Sequence, residues 1–204
     1  MSTILGIDTA STDFALAVAE HGVVVRSLVR DGAQDHSRLL LAAISELLDG
    51  KQIDGIVVVR GPGSYAGLRV GLATAQGLAL ARNVPITGVG TMEAAFAASS
   101  LREATVIHPA GRGNFAAQQF RDGTATGDLW AAPGDELRGR VLAGEGAGAL
   151  GGVEVLPEAR CRAALSLGLA HLPAGHEQEL EAVYLREPNI TTPRPNPAAA
   201  RLTR

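Results

Sequence analysis

The apolar pattern of the chain changes its period after about residue 30, and this change limits the possible folds. Three short apolar segments come first, at 3–7, 14–19 and 23–29, and Glu20-His21-Gly22 is typical of a hairpin turn. These segments predict an antiparallel meander. Segments with helical apolar spacing then alternate with buried strands. This alternation requires that the strands pair in parallel and that right-handed crossovers connect them. The first half therefore predicts an α/β protein with the order βββ-α-β-α-β-α.

The boundaries of the elements follow from caps, glycines and apolar spacing. The first half predicts helices at 36–49, 66–82 and 91–98, and buried strands at 53–59 and from 84. The second half predicts strands at 105–107, 115–120 and 141–143, a loop at 129–140 and a helix at 157–171. The polar segment 99–104 marks the boundary between a lobe at 1–100 and a smaller lobe at 101–190. The Pro-rich tail, 191–204, is expected to be disordered.

Composition limits the compartment and the partners. The 204 residues are 46% hydrophobic and 19% charged, which is sufficient for a real core. The net charge of −3 argues against independent binding to nucleic acid, because proteins that bind it alone usually present a basic face. The single cysteine, Cys161, excludes an internal disulfide. The N-terminus lacks the basic start of a signal peptide, and no apolar run approaches the roughly 20 residues of a membrane helix. We therefore expect a cytoplasmic protein without membrane contact.

Two segments could bind phosphate. Asp8 and Thr9 end the first strand, where a carboxylate and backbone N–H groups can meet a phosphate or its Mg²⁺, although such strand ends are also common without a ligand. Gly61, Gly63 and Gly67 surround a strand-to-helix turn. The turn lacks the lysine and the hydroxyl residue that complete a P-loop, and this favours a tightly packed structural turn.

The helix after this turn carries a stripe of small residues at every fourth position. Each glycine in a helix costs about 1 kcal/mol relative to alanine, so two of them indicate a compensating close contact. That contact is either internal, against the sheet, or external, against a partner helix. The 36–49 helix has an apolar stripe wider than one core contact requires. The predicted partner interface comprises His36, Leu39, Leu40, Ala43, Gly67, Gly71, Ala75 and Ala79.

Catalytic chemistry has little support in the sequence. None of the five histidines has the i, i+4 spacing of a metal site, and Cys161 is interpreted as a packing residue. Ser64 lies in a turn that is unlike a nucleophile elbow. We therefore predict no catalytic residue and no metal.

Several motifs together resemble one family. They are Ile4-Leu-Gly-Ile-Asp-Thr-Ala10, the helix start His36-Ser37-Arg38-Leu39-Leu40, the block Arg60-Gly-Pro-Gly-Ser-Tyr-Ala-Gly-Leu-Arg69, and the late Tyr184-Leu185-Arg186. In these residues the chain resembles the TsaB/YeaZ family. The resemblance implies an actin/Hsp70/sugar-kinase-like fold with two lobes, each a mixed sheet with helices, of which the second is reduced.

The resemblance also implies a function. TsaB-like proteins are non-catalytic partner subunits of TsaD, which transfers threonylcarbamoyl to adenosine 37 of tRNA. The two subunits pair through helices of the first lobe, here 36–49 and 66–82. A homodimer through the same helices would cover their exposed apolar surface when the partner is absent. The resemblance further implies a TsaE-like ATPase as partner and tRNA contact only through the complex. It implies no cofactor of the chain itself, with ATP and Mg²⁺ only at an interface with the partner, so Asp8 and Thr9 would be a vestigial phosphate site.

One departure from the family pattern bears on catalysis. Ile107-His108-Pro109-Ala110 stands where family members often carry an aspartate at the first strand end of the second lobe. The apparent lack of a carboxylate from that lobe, and of the metal-binding histidine pair of TsaD-like proteins, argues against independent transfer chemistry. An ATP-dependent kinase or transferase of the same fold is the alternative, based on Asp8 and the glycine-rich turn. A peptidase is the third hypothesis, without a zinc motif or a triad to support it.

Overall fold

The computed structural model describes residues 2–32, 36–172 and 180–185, and its first half is a five-stranded sheet with three helices. The strands are β1 (Thr3–Asp8), β2 (Phe14–Glu20), β3 (Val23–Arg30), β4 (Gly55–Val59) and β5 (Ile86–Val89); the helices are α1 (His36–Leu48), α2 (Tyr65–Arg82) and α3 (Thr91–Ser99). The predicted order βββ-α-β-α-β-α is confirmed. His21 and Gly22 both have positive φ, as a two-residue hairpin turn requires.

The first sheet has the order β3-β2-β1-β4-β5, with β1 antiparallel to β2 and parallel to β4. Its central strands β1, β2 and β4 are buried on both faces because helices cover both. On one face α1 and α2 contribute Leu40, Ile44, Leu72 and Ala75 to a core with Leu5 and other strand residues. This core fixes the two long helices of the first half to the central strands.

A second mixed sheet forms the other half. Its strands are β6 (Glu103–Pro109), β7 (Asn114–Arg121), β8 (Thr124–Ala125), β9 (Trp130–Pro133), β10 (Leu142–Gly144) and β11 (Val153–Glu154), and its helices are α4 (Gly134–Leu137) and α5 (Pro157–Leu169), with a single 3-10 turn at Gly148–Leu150. The loop predicted at 129–140 is wrong in part, because β9 and α4 lie there. Both are only four residues long, too short to show a period in the sequence.

The two sheets share one topology. The second has the order β11-β10-β6-β7-β8, in which β6 is antiparallel to β7 and parallel to β10. β6 thus corresponds to β1, β7 to β2, and β10 and β11 to β4 and β5. The ends of β1 and β6 are consequently equivalent positions in the two halves.

The helices α3 and α5 pack against each other between the sheets. Met92 and Phe96 of α3 pack on the second sheet, whereas Cys161 and Leu165 of α5 pack on the first. The predicted lobe boundary at residue 100 lies between α3 and β6, yet α5 returns from the second half to cover the first sheet. The predictions for the tail at 191–204 and for the side chain of His36 lie outside the described residues.

Candidate functional site

A fully buried arginine on α5 joins the two halves of the molecule. Arg160 has no exposed surface, and its side chain lies at the end of β1. Its Nε donates to Asp8 Oδ2 at 2.7 Å, and its Nη2 donates to Asp8 Oδ1 at 3.2 Å. This two-pronged geometry suits the planar guanidinium, which presents its donors as a rigid fork. Asp8, the predicted phosphate residue, is therefore bound by a cation of the same chain.

The remaining donors of Arg160 are also satisfied. Nη2 donates to Ser11 Oγ at 2.7 Å, and Nη1 donates to Glu145 Oε2 at 2.8 Å and to His108 Nδ1 at 3.2 Å. A guanidinium has five N–H groups, and these bonds supply one acceptor for each. Ser11 in turn donates to Glu145. We name Asp8, Ser11, His108, Glu145 and Arg160 the interlobe cluster.

The tautomer of His108 follows from its neighbours. Its Nδ1 accepts a hydrogen bond from Arg160, so the ring proton is assigned to Nε2, which donates to the carbonyl oxygen of Ala10 at 3.1 Å. Burial, together with the positive charge of Arg160, lowers the pKa of His108 to about 4. The ring is therefore neutral near pH 7, and it accepts from Arg160 instead of repelling it.

The charges of the cluster compensate each other within a buried volume. Burial alone would lower the pKa of Arg160, but the carboxylates of Asp8 and Glu145 raise it above its ordinary value. Burial alone would raise the pKa of Glu145, but the cationic neighbours, with Ser11 and Arg160 as hydrogen-bond donors, lower it. Near pH 7 the guanidinium supplies this cationic effect, because His108 is then neutral. Glu145 is accordingly ionised, and it shares the one cation with Asp8.

The prediction that the second half lacks a carboxylate at this position is wrong, because Glu145 supplies one. His108 stands near the end of β6, where the family aspartate was expected, but Glu145 follows β10 and reaches the same cluster. Sequence reasoning missed both Glu145 and Arg160. Arg160 shares a helical stripe with Cys161, Ala164, Leu165 and Gly168, all buried, and that position among apolar residues was the available signal.

A cleft of about 660 Å³ lies beside the cluster, between the glycine-rich turn and the hairpin that joins β6 to β7. The rings of Tyr65 and Tyr184 pack at a centroid distance of 5.0 Å on its border. The backbone N–H of Val183 donates to the carbonyl oxygen of Arg60 at 2.7 Å. This bond fixes the segment 180–185 against the glycine-rich turn. The late motif with Tyr184 and the glycine-rich turn are thus neighbours in the fold.

The stripe of small residues on α2 faces inward. Gly67 and Gly71 lie so close to Thr9 that a Cβ at either position would overlap its oxygen atoms. Ala75 and Ala79 are buried in the core of the first half. The spacing of the stripe allowed either an internal contact or an external contact with a partner helix, and the structure has the internal contact. Thr9 itself is fully buried, and its hydroxyl has no hydrogen-bond partner within the described residues.

The predicted residues of α1 are also turned mainly toward the core. Leu40 and Ala43 are buried, and Leu39 is half-buried against the same core. The other sides of α1 and α2 face away from this core. Leu41 and Leu80 are 54% and 85% exposed there, and a Cβ at Gly77 would meet nothing within 4 Å.

Thiol and metal chemistry are the other candidates for a reactive site. Cys161 is buried, its thiol lies 3.5 Å from the carbonyl oxygen of Ala15, and burial raises its pKa well above the ordinary value. Within residues 2–32, 36–172 and 180–185, no group of three or more His, Cys, Asp or Glu residues could hold a metal ion.

Two sheets of one topology, with a strand-end aspartate between them, define an actin/Hsp70/sugar-kinase-like protein. The family described as "TsaD: tRNA N6-adenosine threonylcarbamoyltransferase" matches residues 22–142. The TsaB proteins of Bacillus subtilis and Escherichia coli, both named "tRNA threonylcarbamoyladenosine biosynthesis protein TsaB", are 32% and 33% identical over 96 and 94 residues. These segments cover 45% and 44% of this chain, but only 42% and 40% of the relatives. The chain belongs to the family that matches residues 22–142, and it resembles the TsaB/YeaZ proteins.

A solved structure supports the fold over most of the chain. It is described as an uncharacterized protein with similarity to peptidase YEAZ, from Pseudomonas aeruginosa. It superposes with a TM-score of 0.73 at 23% identity and covers 91% of this chain and 100% of that chain. Other curated relatives, 30–34% identical, are named tRNA N6-adenosine threonylcarbamoyltransferase. None of the helices described here has the length and apolar character to span a membrane.

Proposed function

We propose that this chain is the non-catalytic partner subunit of a TsaD-containing complex that forms threonylcarbamoyl-adenosine at position 37 of tRNA. The observation that carries the proposal is the pairing of Asp8 with Arg160. Both oxygens of this carboxylate are bound to the guanidinium, so neither is free for the Mg²⁺ of a nucleotide. The similarity to TsaB proteins, which are named for tRNA threonylcarbamoyladenosine biosynthesis, supports the choice of this pathway.

The partner face is the exposed side of α1 and α2. Leu41 and Leu80 are the large apolar residues there, and Gly77 leaves room for another backbone to approach. Burial of such residues at a subunit contact is favourable because it removes apolar surface from water. The same face would form a two-fold homodimer when the partner is absent. The further proposals are a TsaE-like ATPase as a third component, tRNA contact only through the complex, and a cytoplasmic location.

The decisive experiment is light scattering after size exclusion, with the chain alone and mixed with the TsaD-like subunit of the same organism. A stable heterodimer that replaces a homodimer supports the proposal. Gly77→Leu should abolish the heterodimer while the fold persists, because the new side chain would project from the surface of α2. Gly77→Ala is the matched control and should retain binding. A chain that stays monomeric in the mixture overturns the proposal.

An ATP-dependent kinase or transferase is the second candidate, favoured by the presence of two carboxylates, Asp8 and Glu145, in one cluster. Titration with Mg-ATP distinguishes it. We expect no heat of binding at millimolar nucleotide, because displacement of Arg160 would leave a buried guanidinium unpaired. Mg²⁺-dependent binding that Asp8→Asn removes would favour the kinase or transferase instead.

A further inference from the structure

The carbonyl oxygen of Ala10 joins two distant parts of the molecule. It accepts the backbone N–H of Ser64 at 2.7 Å and Nε2–H of His108 at 3.1 Å. Ser64 is the N-cap of α2, and its hydroxyl accepts the N–H of Gly67 at 3.2 Å. His108 belongs to β6 of the second sheet. One backbone oxygen therefore holds both the start of α2 and the second sheet.

Ala10 is fixed from its other side by the interlobe cluster. Its N–H donates to Asp8 Oδ1 at 3.0 Å, and the same oxygen accepts from Arg160. The glycine-rich turn lies directly on this segment, since a Cβ at Gly63 would overlap Ala10. With no space between them, a displacement of Ala10 would have to be followed by the first turn of α2.

We propose that His108 is a positioning residue that sets the orientation of α2, so that the second sheet controls the affinity for a partner it does not touch. His108 is 3% exposed and remains inaccessible to any partner. Its effect on binding is exerted through Ala10 and Ser64. The inference rests on the proposed function to the extent that α2 is the partner helix.

Two polar substitutions separate this role from simple space filling. His108→Asn keeps an acceptor near the position of Nδ1 for Arg160 but ends short of Ala10. His108→Gln carries an amide N–H far enough to donate to Ala10. His108→Asn thus loses the bond to Ala10 and keeps an acceptor for Arg160, whereas His108→Gln does the reverse. A loss that occurs in His108→Asn and is recovered in His108→Gln is therefore assigned to the bond with Ala10. Thr105→Val is the control, because this buried residue lies on the same strand, three positions before His108, and is paired with Gln119 of β7.

The first readout is the dissociation constant of the full chain for the TsaD-like subunit, and the second is exchange of the Ser64 amide proton in the free chain by NMR. His108→Asn should weaken binding and accelerate Ser64 exchange, each by about tenfold, as expected for loss of one buried hydrogen bond. His108→Gln should restore most of the affinity and most of the slow exchange of the Ser64 amide. Thr105→Val should change neither quantity.

The outcomes distinguish failure of this inference from failure of the proposed function. Equal affinities and equal Ser64 exchange in His108→Asn, His108→Gln and the unchanged chain overturn the positioning role. If the unchanged chain does not bind the TsaD-like subunit, the proposed function fails, and Ser64 exchange alone decides the inference. Acceleration in His108→Asn but not in His108→Gln then supports it, and any other pattern overturns it.

Discussion

The two sheets have the same strand order, but very different helices follow their equivalent strands. In the first half α1 and α2 have 13 and 18 residues and cover a whole face of the sheet. In the second half the equivalent connections contain only α4, with four residues, and one 3-10 turn. The helices after the last strands, α3 and α5, persist in both halves. The halves thus differ in their outer helices and agree in the elements that join them.

This difference separates two tasks. The first half has the long helices, whose exposed sides form the proposed partner face. The second half retains the strand and helix positions from which His108, Glu145 and Arg160 reach the first half. The shortness of α4 leaves the contact between the halves intact, because that contact depends on β6, β10 and α5. The comparison can be tested by substitution in the interlobe cluster, by substitution in α2 and by the pH dependence of stability.

Removal of Arg160 should have the largest effect. Arg160→Met leaves Asp8 buried without a cation, and loss of one partner of a buried ion pair costs about 3–5 kcal/mol. Urea denaturation followed by circular dichroism measures the free energy of unfolding. The control is Arg121→Met, which breaks the exposed Arg121–Glu103 pair within the second sheet and should cost far less, because water screens and solvates both charges. Similar losses in the two variants would mean that the contact between the halves is no stronger than a surface contact.

Substitution in α2 should have the next largest effect. Gly71→Leu forces a side chain against Thr9 and should destabilise the fold by about 3 kcal/mol, the upper part of the range for overpacking. Gly77→Leu, six residues later in the same helix, meets open space and should stabilise the helix by up to about 1 kcal/mol. Thermal unfolding measures both. A folded, stable Gly71→Leu chain would show that the stripe is not fixed internally.

The pH dependence of stability should be smaller. The folded chain lowers the pKa of His108 to about 4, whereas an unfolded histidine titrates near 6.5. The unfolded state therefore binds a proton first as pH falls, so stability is complete above pH 6.5 and is lost as pH falls toward 4. The expected loss between pH 7 and pH 5 is about 2 kcal/mol. His108→Gln should remove most of this slope in urea titrations, and an unchanged slope would assign it to other groups.

The sequence predicted the first half well because its signals are local. Glycines, caps and apolar spacing determine α1 and α2 within about a residue, and the antiparallel start follows from the Glu20-His21-Gly22 turn. Spacing alone could not decide which way the Gly67–Gly71 stripe faces, since an internal and an external contact both require small residues. Only the position of Thr9 in the folded chain decides it.

The interlobe cluster lay beyond sequence reasoning for a different reason. Arg160 and Asp8 are 152 positions apart, and no local pattern pairs them. An arginine in a helix is usually a surface residue, so its place on an apolar stripe was the one indication available. The two-residue strands β8 and β11 were also missed, because pairing with longer neighbours defines them, not any period of their own.

The cation between the two halves is covalently part of the chain, and this has a consequence for mass action. A metal ion or nucleotide in that position would dissociate on dilution, and the stability of the fold would then follow its concentration. A tethered guanidinium has a fixed effective concentration instead. The contact between the halves should therefore keep the same strength when every small molecule around the protein is removed.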